Sequence, residues 1–233
     1  MNRRRVVITG LGTVNPLANS VPAYWSALLA GRSGIAPITQ FDTKDFSVHF
    51  GGEVKDFDAA TLTGLNAREV KRLDRFAQFA LAAAIEAVRD SALDFARADC
   101  SRCGCILGCG IGGLNSFEEA HNDFLRGGPR RISPLIIPKM IANAAPGNVS
   151  IHFGLMGVTT SVATACASAG NAVGDALRAI RHDEADIIIS GGTEAAITVM
   201  GLAAFARCVP SPRVTTIRRR PAGRLTATVM DSC

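Results

Sequence analysis

Three features of the sequence predict an α/β layered fold: short apolar runs bounded by charge and glycine, a strand-like run turning straight into a helical repeat, and one long amphipathic helix. The first kind is RRVVITG at Arg4–Gly10 and DIIISGG at Asp186–Gly192, both apolar enough for burial on two faces of a sheet. The second is Thr159–Ala165, rich in β-branched and small residues, followed by Ala169, Val173, Ala176, Leu177 and Ile180 at helical spacing. The third spans residues near 74–92, where Phe76, Phe79, Ala80, Ala83, Ala84, Ala87 and Val88 follow the i, i+3, i+4, i+7 rule. Its packing face is made of small residues, which permit close approach.

The elements follow in order. After the first strand, Gly10-Leu11-Gly12 begins a turn; a dinucleotide fingerprint would need glycine where Asn15 stands, and Pro16 follows, so a nicotinamide site is not indicated. Pro22–Ala30 fits a short helix carrying Trp25, Leu28 and Leu29, stopped by Gly31. Ser33–Asp56 is turn-rich, with Val48, Phe50 and Val54 suggesting a strand or hairpin and His49 facing solvent. Arg68, Lys71 and Arg72 lie at helical spacing and form one positive edge, which the residues alone read most simply as a solvated face. RCGCILGCG reads as a strand with Cys103 and Cys105 on one face and Ile106 on the other. The glycines at 108, 110, 112 and 113 that follow lack the lysine and hydroxyl residue of a phosphate loop and suit tight packing or a strand-to-helix turn. RGGPRRISPLIIPKMIANAAPGNVSIHFGL mixes prolines with apolar residues and reads as a loop covering a neighbouring surface, such as another subunit's. DIIISGG is followed by a loop and a short buried helix.

Composition narrows the function. At 233 residues with 48% hydrophobic content the chain can bury a large core. Of the net charge of +5, the five Arg and one Asp from Cys208 onward carry +4, so residues 1–207 are nearly neutral and a nucleic-acid surface is not indicated. The apolar window Ile187–Ala206 contains Glu194, and a charge inside a membrane span costs roughly 2.5–3.5 kcal/mol, which argues against a membrane segment. MNRRRVVITG has no signal-peptide pattern, so the expected setting is cytoplasmic and disulfides are not expected. Cys100-x-x-Cys103 is not followed by a second Cys or His pair, and Cys100, Cys103, Cys105 and Cys109 read as small apolar filler rather than metal ligands.

Cys166 stands where the strand-like run becomes a helix. A thiol at a helix N-terminus meets unpaired N–H groups and the positive end of the helix dipole, which is how a nucleophile is made. The local pattern also fits a small buried cysteine acting as a hydrophobe.

With TACASAGNAVGDA, SGGTEAA, GCGIGGL, RGGPRRISP and the opening RRVVITGLGTVNPLANSVPAYW in one order from Met1 to about Arg207, the chain resembles the β-ketoacyl-acyl-carrier-protein synthases of the type II kind. These are thiolase-fold condensing enzymes of fatty-acid synthesis, and related ketosynthases serve polyketide assembly. The resemblance implies the N-terminal half of a thiolase-like layered fold, a homodimer formed around the cysteine helix and the 130s loop, and no cofactor or metal. It implies that Cys166 takes an acyl chain from acyl-carrier protein and passes it to the carbanion made by decarboxylating a malonyl thioester. By the same resemblance Ile111 is a wall of the acyl pocket, and Arg68, Lys71 and Arg72 dock the acidic carrier protein. The family pattern is Cys-His-His with both histidines in the second half of the fold, and none of His49, His121, His152 and His182 occupies those positions. Complete condensing activity is therefore not expected of this chain.

Residues 1–207 are thus expected to form one synthase domain and 208–233 a tail of different origin. Family members continue after GLAAFAR with a sequence like Met-Arg-Ala-Leu-Ser-Thr-Arg-Asn-Asp-Asp-Pro. Codons for Cys208–Ile217, with suitable third bases and shifted by one base, read as that sequence. The expected cause is a one-base deletion at the Arg207 codon, the alternative being a genuine, divergent tail, and an out-of-frame tail is expected to be poorly ordered. Sequencing independently prepared DNA tests it, and a frame as printed with no family sequence downstream overturns it.

Overall fold

The computed structural model describes residues 4–208. Helix α1 (Val21–Leu29) precedes a two-stranded antiparallel pair, β1 (Ala36–Pro37) and β2 (Phe50–Gly51), where the hairpin is expected. Two short helices, α2 (Ala59–Thr63) and α3 (Ala67–Val70), lead into α4 (Arg75–Asp90). Asp74 caps α4 by accepting the Phe76 N–H at 3.2 Å, and the helix buries Phe76, Ala77, Phe79, Ala80, Leu81, Ala82 and Ala84 as its periodicity predicts. Strand β3 (Cys103–Gly108), α5 (Leu114–Gly127), α6 (Ile136–Met140), α7 (Ala144–Phe153), β4 (Thr159–Val162), α8 (Ser168–Arg181), β5 (Ile187–Gly192) and α9 (Val199–Cys208) complete the described chain.

β4, β3 and β5 form a parallel sheet in that order, with β3 central and buried along its whole length. Side chains alternate across it as the strand period requires. Cys103, Cys105, Leu107 and Cys109 pack with Phe76, Ala80 and Leu81 of α4 and Ala145 and Val149 of α7, whereas Ile106 packs with Ala172 and Ala176 of α8. The result is helix, sheet and helix, in three layers.

Residues 4–10 do not form the expected strand. They make no strand pairing among the described residues, and Val7 and Ile8 are 58% and 80% exposed. Apolarity qualifies a segment for burial, but pairing needs a sheet edge, and this stretch runs over α4 instead. A Cβ at Gly10 would lie 2.1 Å from the Ala87 carbonyl oxygen, and one at Gly12 1.9 Å from that of Ala83. The Leu11 and Thr13 N–H groups donate to Asp90 and Glu86, each at 2.9 Å, so carboxylates of α4 replace a strand ladder. The small residues of α4 therefore admit a backbone segment at Ala83 and Ala87, while Ala77, Ala80 and Ala84 share the core with α7.

Arg4 ties the front of this segment down. It pairs with Asp183 at 2.7 Å and Asp186 at 2.6 Å, and Arg102 pairs with the same two carboxylates at 2.7 and 2.6 Å. Hydrogen bonds from Arg102, then Arg4, hold the Asp186 carboxyl far below the usual aspartate range. A depressed folded value makes the stabilisation fully present above the unfolded value of about 3.9 and lost as pH falls through the folded one. In Arg102→Ala the Asp186 midpoint, followed by NMR of its carboxyl carbon, is expected to rise toward the free value. An unchanged midpoint refutes the ion-pair account.

Three further expectations are corrected. The packing face of α8 is Ser168, Ala172, Ala176 and Ala179, while Val173 is 48% exposed, because close contact with the sheet selects the smallest side chains. The proline-rich stretch is not all loop. Pro138 and Pro146 fall in the first turns of α6 and α7, where a helix needs no N–H donor, and α7 buries Ala145, Pro146 and Val149. β5 is half-buried and α9 buries only Gly201 and Leu202, leaving Val199, Met200 and Phe205 exposed. The expected tail lies outside the described residues except for Cys208, the last residue of α9. No described helix is long and apolar enough to cross a membrane.

Candidate active site

The carboxyl ends of the three parallel strands bring together the glycine turn after β3, the Ala163–Ala167 turn after β4 and Thr193–Glu194 after β5. Open parallel sheets bind ligands at this end. The turn after β4 is a tight elbow. Ala165 has φ +50°, a left-handed conformation that L residues adopt at a cost. A knot of hydrogen bonds holds it there: Ala167 N–H to Thr164 O at 3.1 Å, Ser168 N–H to Ala165 O at 3.1 Å, and Asn171 Nδ2 to Thr164 Oγ1 at 2.6 Å. The buried Ser168 hydroxyl accepts the Thr164 N–H at 2.9 Å and donates to Ala165 O at 2.6 Å. None of these bonds uses the Cys166 N–H or thiol.

Cys166 itself is exposed, so the alternative of a buried filler cysteine does not hold. It precedes α8 with one residue between, where the helix dipole favours negative charge developing on a substrate oxygen. Two glycines seat the helix. A Cβ at Gly108 would lie 2.2 Å from the Ser168 carbonyl carbon, and one at Gly192 2.5 Å from the Ala169 Cβ.

The glycine turn beside the elbow is held by a residue that the sequence reading did not single out. Glu194 accepts the N–H groups of Gly110, Ile111 and Gly112 at 2.9, 2.8 and 3.3 Å. A Cβ at Gly110 would be 3.8 Å from Ala165 Cα, so this turn and the elbow are neighbours, and Ile111 is 47% exposed next to them. The available signal was an acidic residue two positions after a strand-like apolar run, in a chain whose glycine turn had no anion assigned to it.

Arg68, Lys71 and Arg72 are exposed along α3 and the turn after it, and among the described residues none forms an ion pair. An Asn66–Glu69 capping box fixes that short helix. Asp74, buried just beyond it, accepts the Ser116 N–H at 3.1 Å and so joins this basic edge to the start of α5, next to the glycine turn. Among the described residues no hydrogen bond or ion pair joins the three cations to Cys166. The histidines lie elsewhere: His49 meets Thr43, His121 stacks on Phe117, His152 packs against Phe153, and His182 closes the far end of α8. A cavity of about 150 Å³ lies between Asn15, Pro16, Arg75, Phe79 and Glu194.

The other thiols differ from Cys166. Burial pushes Cys105 up to about 12, burial with Glu194 alongside does the same to Cys109 (about 12), and burial raises Cys103. A raised value keeps these three as neutral thiols at neutral pH. Under native conditions a thiol reagent is expected to modify the exposed Cys166 and Cys208 and to spare Cys103, Cys105 and Cys109 until the chain is unfolded. Peptide mapping by mass spectrometry checks this, and native labelling of Cys105 would overturn it.

Residues 3–218 match the family model described as "Beta-ketoacyl synthase, N-terminal domain". The chain belongs to this family. It is 45% identical over 206 residues to the 3-oxoacyl-[acyl-carrier-protein] synthase 2 of Synechocystis sp., an alignment covering 88% of this chain and 49% of that one. This synthase domain thus spans about half the length of the curated relatives it matches. Among solved structures it resembles the ishigamide ketosynthase/chain length factor, with a TM-score of 0.82 at 30% identity over 90% of this chain and 52% of the other. A second likeness, with a TM-score of 0.76 at 24% identity over 88% and 55%, is to a type II polyketide ketosynthase in complex with its acyl-carrier protein and bound to the hexaketide. The thiolase-like layered fold of these ketosynthases is the fold described above.

Proposed function

We propose that this domain performs the acyl-transfer step of a Claisen condensation in fatty-acid synthesis. The Cys166 thiolate attacks the carbonyl of an acyl-carrier-protein thioester, and the tetrahedral oxyanion is held by N–H donors at the start of α8, the Cys166 N–H among them. Collapse expels the carrier's thiolate, which takes up the proton that Cys166 gave up, and leaves the acyl group on Cys166. The observation that carries this reading is an exposed cysteine on a strained elbow at a helix N-terminus, outside the hydrogen-bond knot. In the full reaction a malonyl thioester loses CO₂ and its carbanion displaces the acyl group from sulfur. Among the described residues no histidine lies at Cys166, so what these residues are proposed to supply is the acyl-transfer step.

Arg68, Lys71 and Arg72 are read as the docking edge for the acidic carrier, supported by their exposure and lack of ion pairs among the described residues. A homodimer is supported by the exposed Leu135, Ile137, Ile141 and Val173 around the cysteine helix and the 130s segment. A cytoplasmic setting fits the six free cysteines among the described residues. The same exposed apolar surface also favours a second reading, a chain that pairs with an intact subunit without chemistry of its own.

Incubation with acyl-carrier-protein thioester and mapping of Cys166 separates the two. The first reading expects an acyl adduct that is absent in Cys166→Ala. Association with a full-length homologue without any adduct supports the second. Reversing the charges at Arg68, Lys71 and Arg72 to Glu is expected to slow acylation by about tenfold at low salt, with the difference shrinking as salt rises, and to leave iodoacetamide labelling unchanged. A salt-independent effect would refute the docking role.

A further inference from the structure

We infer that Glu194 is a positioning residue that sets how long an acyl chain Cys166 accepts, by holding the Gly110–Gly112 turn and with it Ile111. This rests on the acyl-transfer reading above.

The turn is clamped at both ends but not in its middle. Its front leaves β3, and its back is fixed where the Gly113 N–H donates to Met140 O at 2.8 Å. Gly112 has φ +92°, and a Cβ there would lie 2.6 Å from the same oxygen, so the chain turns tightly against α6. Between these points three successive N–H groups have one acceptor, the Glu194 carboxylate. Successive backbone N–H groups converging on an anion form a nest, and the anion decides the turn's shape.

Glu194 is well placed to impose that shape. Thr193, the residue before it, donates its N–H to Gly108 O at 2.9 Å and its hydroxyl to Phe76 O at 2.6 Å, which anchors it to both the central strand and α4. The rigid part of the fold thus reaches the middle of the turn through the Glu194 side chain. Without it, three glycine-rich N–H groups turn to water and the half-exposed Ile111 is free to fold onto the elbow, shortening the space in front of Cys166. Shortened space excludes a long chain and admits a small reagent.

Alkylation of the full chain by iodoacetamide and by N-dodecyl iodoacetamide reads this directly. In each reaction a Cys166 sulfur–carbon bond forms and iodide leaves, so no carrier protein or condensation is required. Glu194→Ala is expected to slow dodecyl labelling of Cys166 about tenfold, the weight of one lost hydrogen bond, while leaving iodoacetamide labelling within about twofold. Glu194→Gln keeps an acceptor oxygen and is expected to restore most of the dodecyl rate; Glu194→Asp, which keeps the charge but reaches less far, is expected to fall between. Hydrogen exchange at Gly110–Gly112 should accelerate in the alanine variant and not in the glutamine variant. An equal slowing of both reagents, an unchanged ratio, or a glutamine variant as slow as alanine overturns the inference. Failure of carrier-protein acylation with this length dependence intact would sink the acyl-transfer reading and leave the positioning role standing.

Discussion

Gly108→Ala is expected to lower stability by about 3 kcal/mol, because overpacking against backbone has no side chain to move aside. The added methyl would lie 2.2 Å from the Ser168 carbonyl carbon, 2.3 Å from its oxygen and 2.4 Å from the Ala169 nitrogen, all backbone atoms of the first turn of α8. Either the helix moves off the sheet or β3 bends at its carboxyl end, and both displace the elbow. For a chain of this size the melting temperature should fall by roughly 6–12 °C. Gly174→Ala in the same helix is the control. A Cβ there meets nothing within 4 Å among the described residues, and exchanging glycine for alanine inside a helix is expected to stabilise by up to about 1 kcal/mol. Urea midpoints of the two variants measure both effects, and a Gly108→Ala midpoint equal to the parent's would show that the helix is not seated by this glycine.

How far the sequence discloses the molecule depends on whether the signal is local. α4 was legible because its burial is set by its own period, and the alternation of Cys103, Cys105 and Ile106 across β3 was legible for the same reason. The junction at Cys166 was legible as a strand run meeting a helix run. Pairing was not. RRVVITG has the composition of a buried strand, yet among the described residues no edge receives it, and composition cannot say which edge is within reach. The face of α8 was misplaced because the largest apolar side chains were assumed to lie inward, whereas the buried residues are Ser168, Ala172, Ala176 and Ala179, with Ala172 and Ala176 packed on Ile106. Glu194 was missed because its three partners are more than eighty residues away, and only the sheet's 4-3-5 strand order brings them together.

Ala165→Val is expected to cut acylation of Cys166 by about a hundredfold while costing only about 2 kcal/mol of stability. Alanine tolerates φ +50°, but a β-branched side chain there is a true outlier, so the turn should relax toward extended backbone. Relaxation breaks the bonds that Thr164 and Ala165 make with Ser168, and the thiol moves off the start of α8. Acyl transfer needs the sulfur and the oxyanion donors in register, so a displacement of about 1 Å is enough for such a loss. Simple alkylation needs no such register. Iodoacetamide should therefore label Cys166 of the valine variant at close to the parent's rate, and Ala165→Gly, which accepts a positive φ without strain, should acylate normally. If the valine variant is acylated as fast as the parent, the strained elbow is an accident of packing; if it loses alkylation too, the thiol has been buried rather than misaligned.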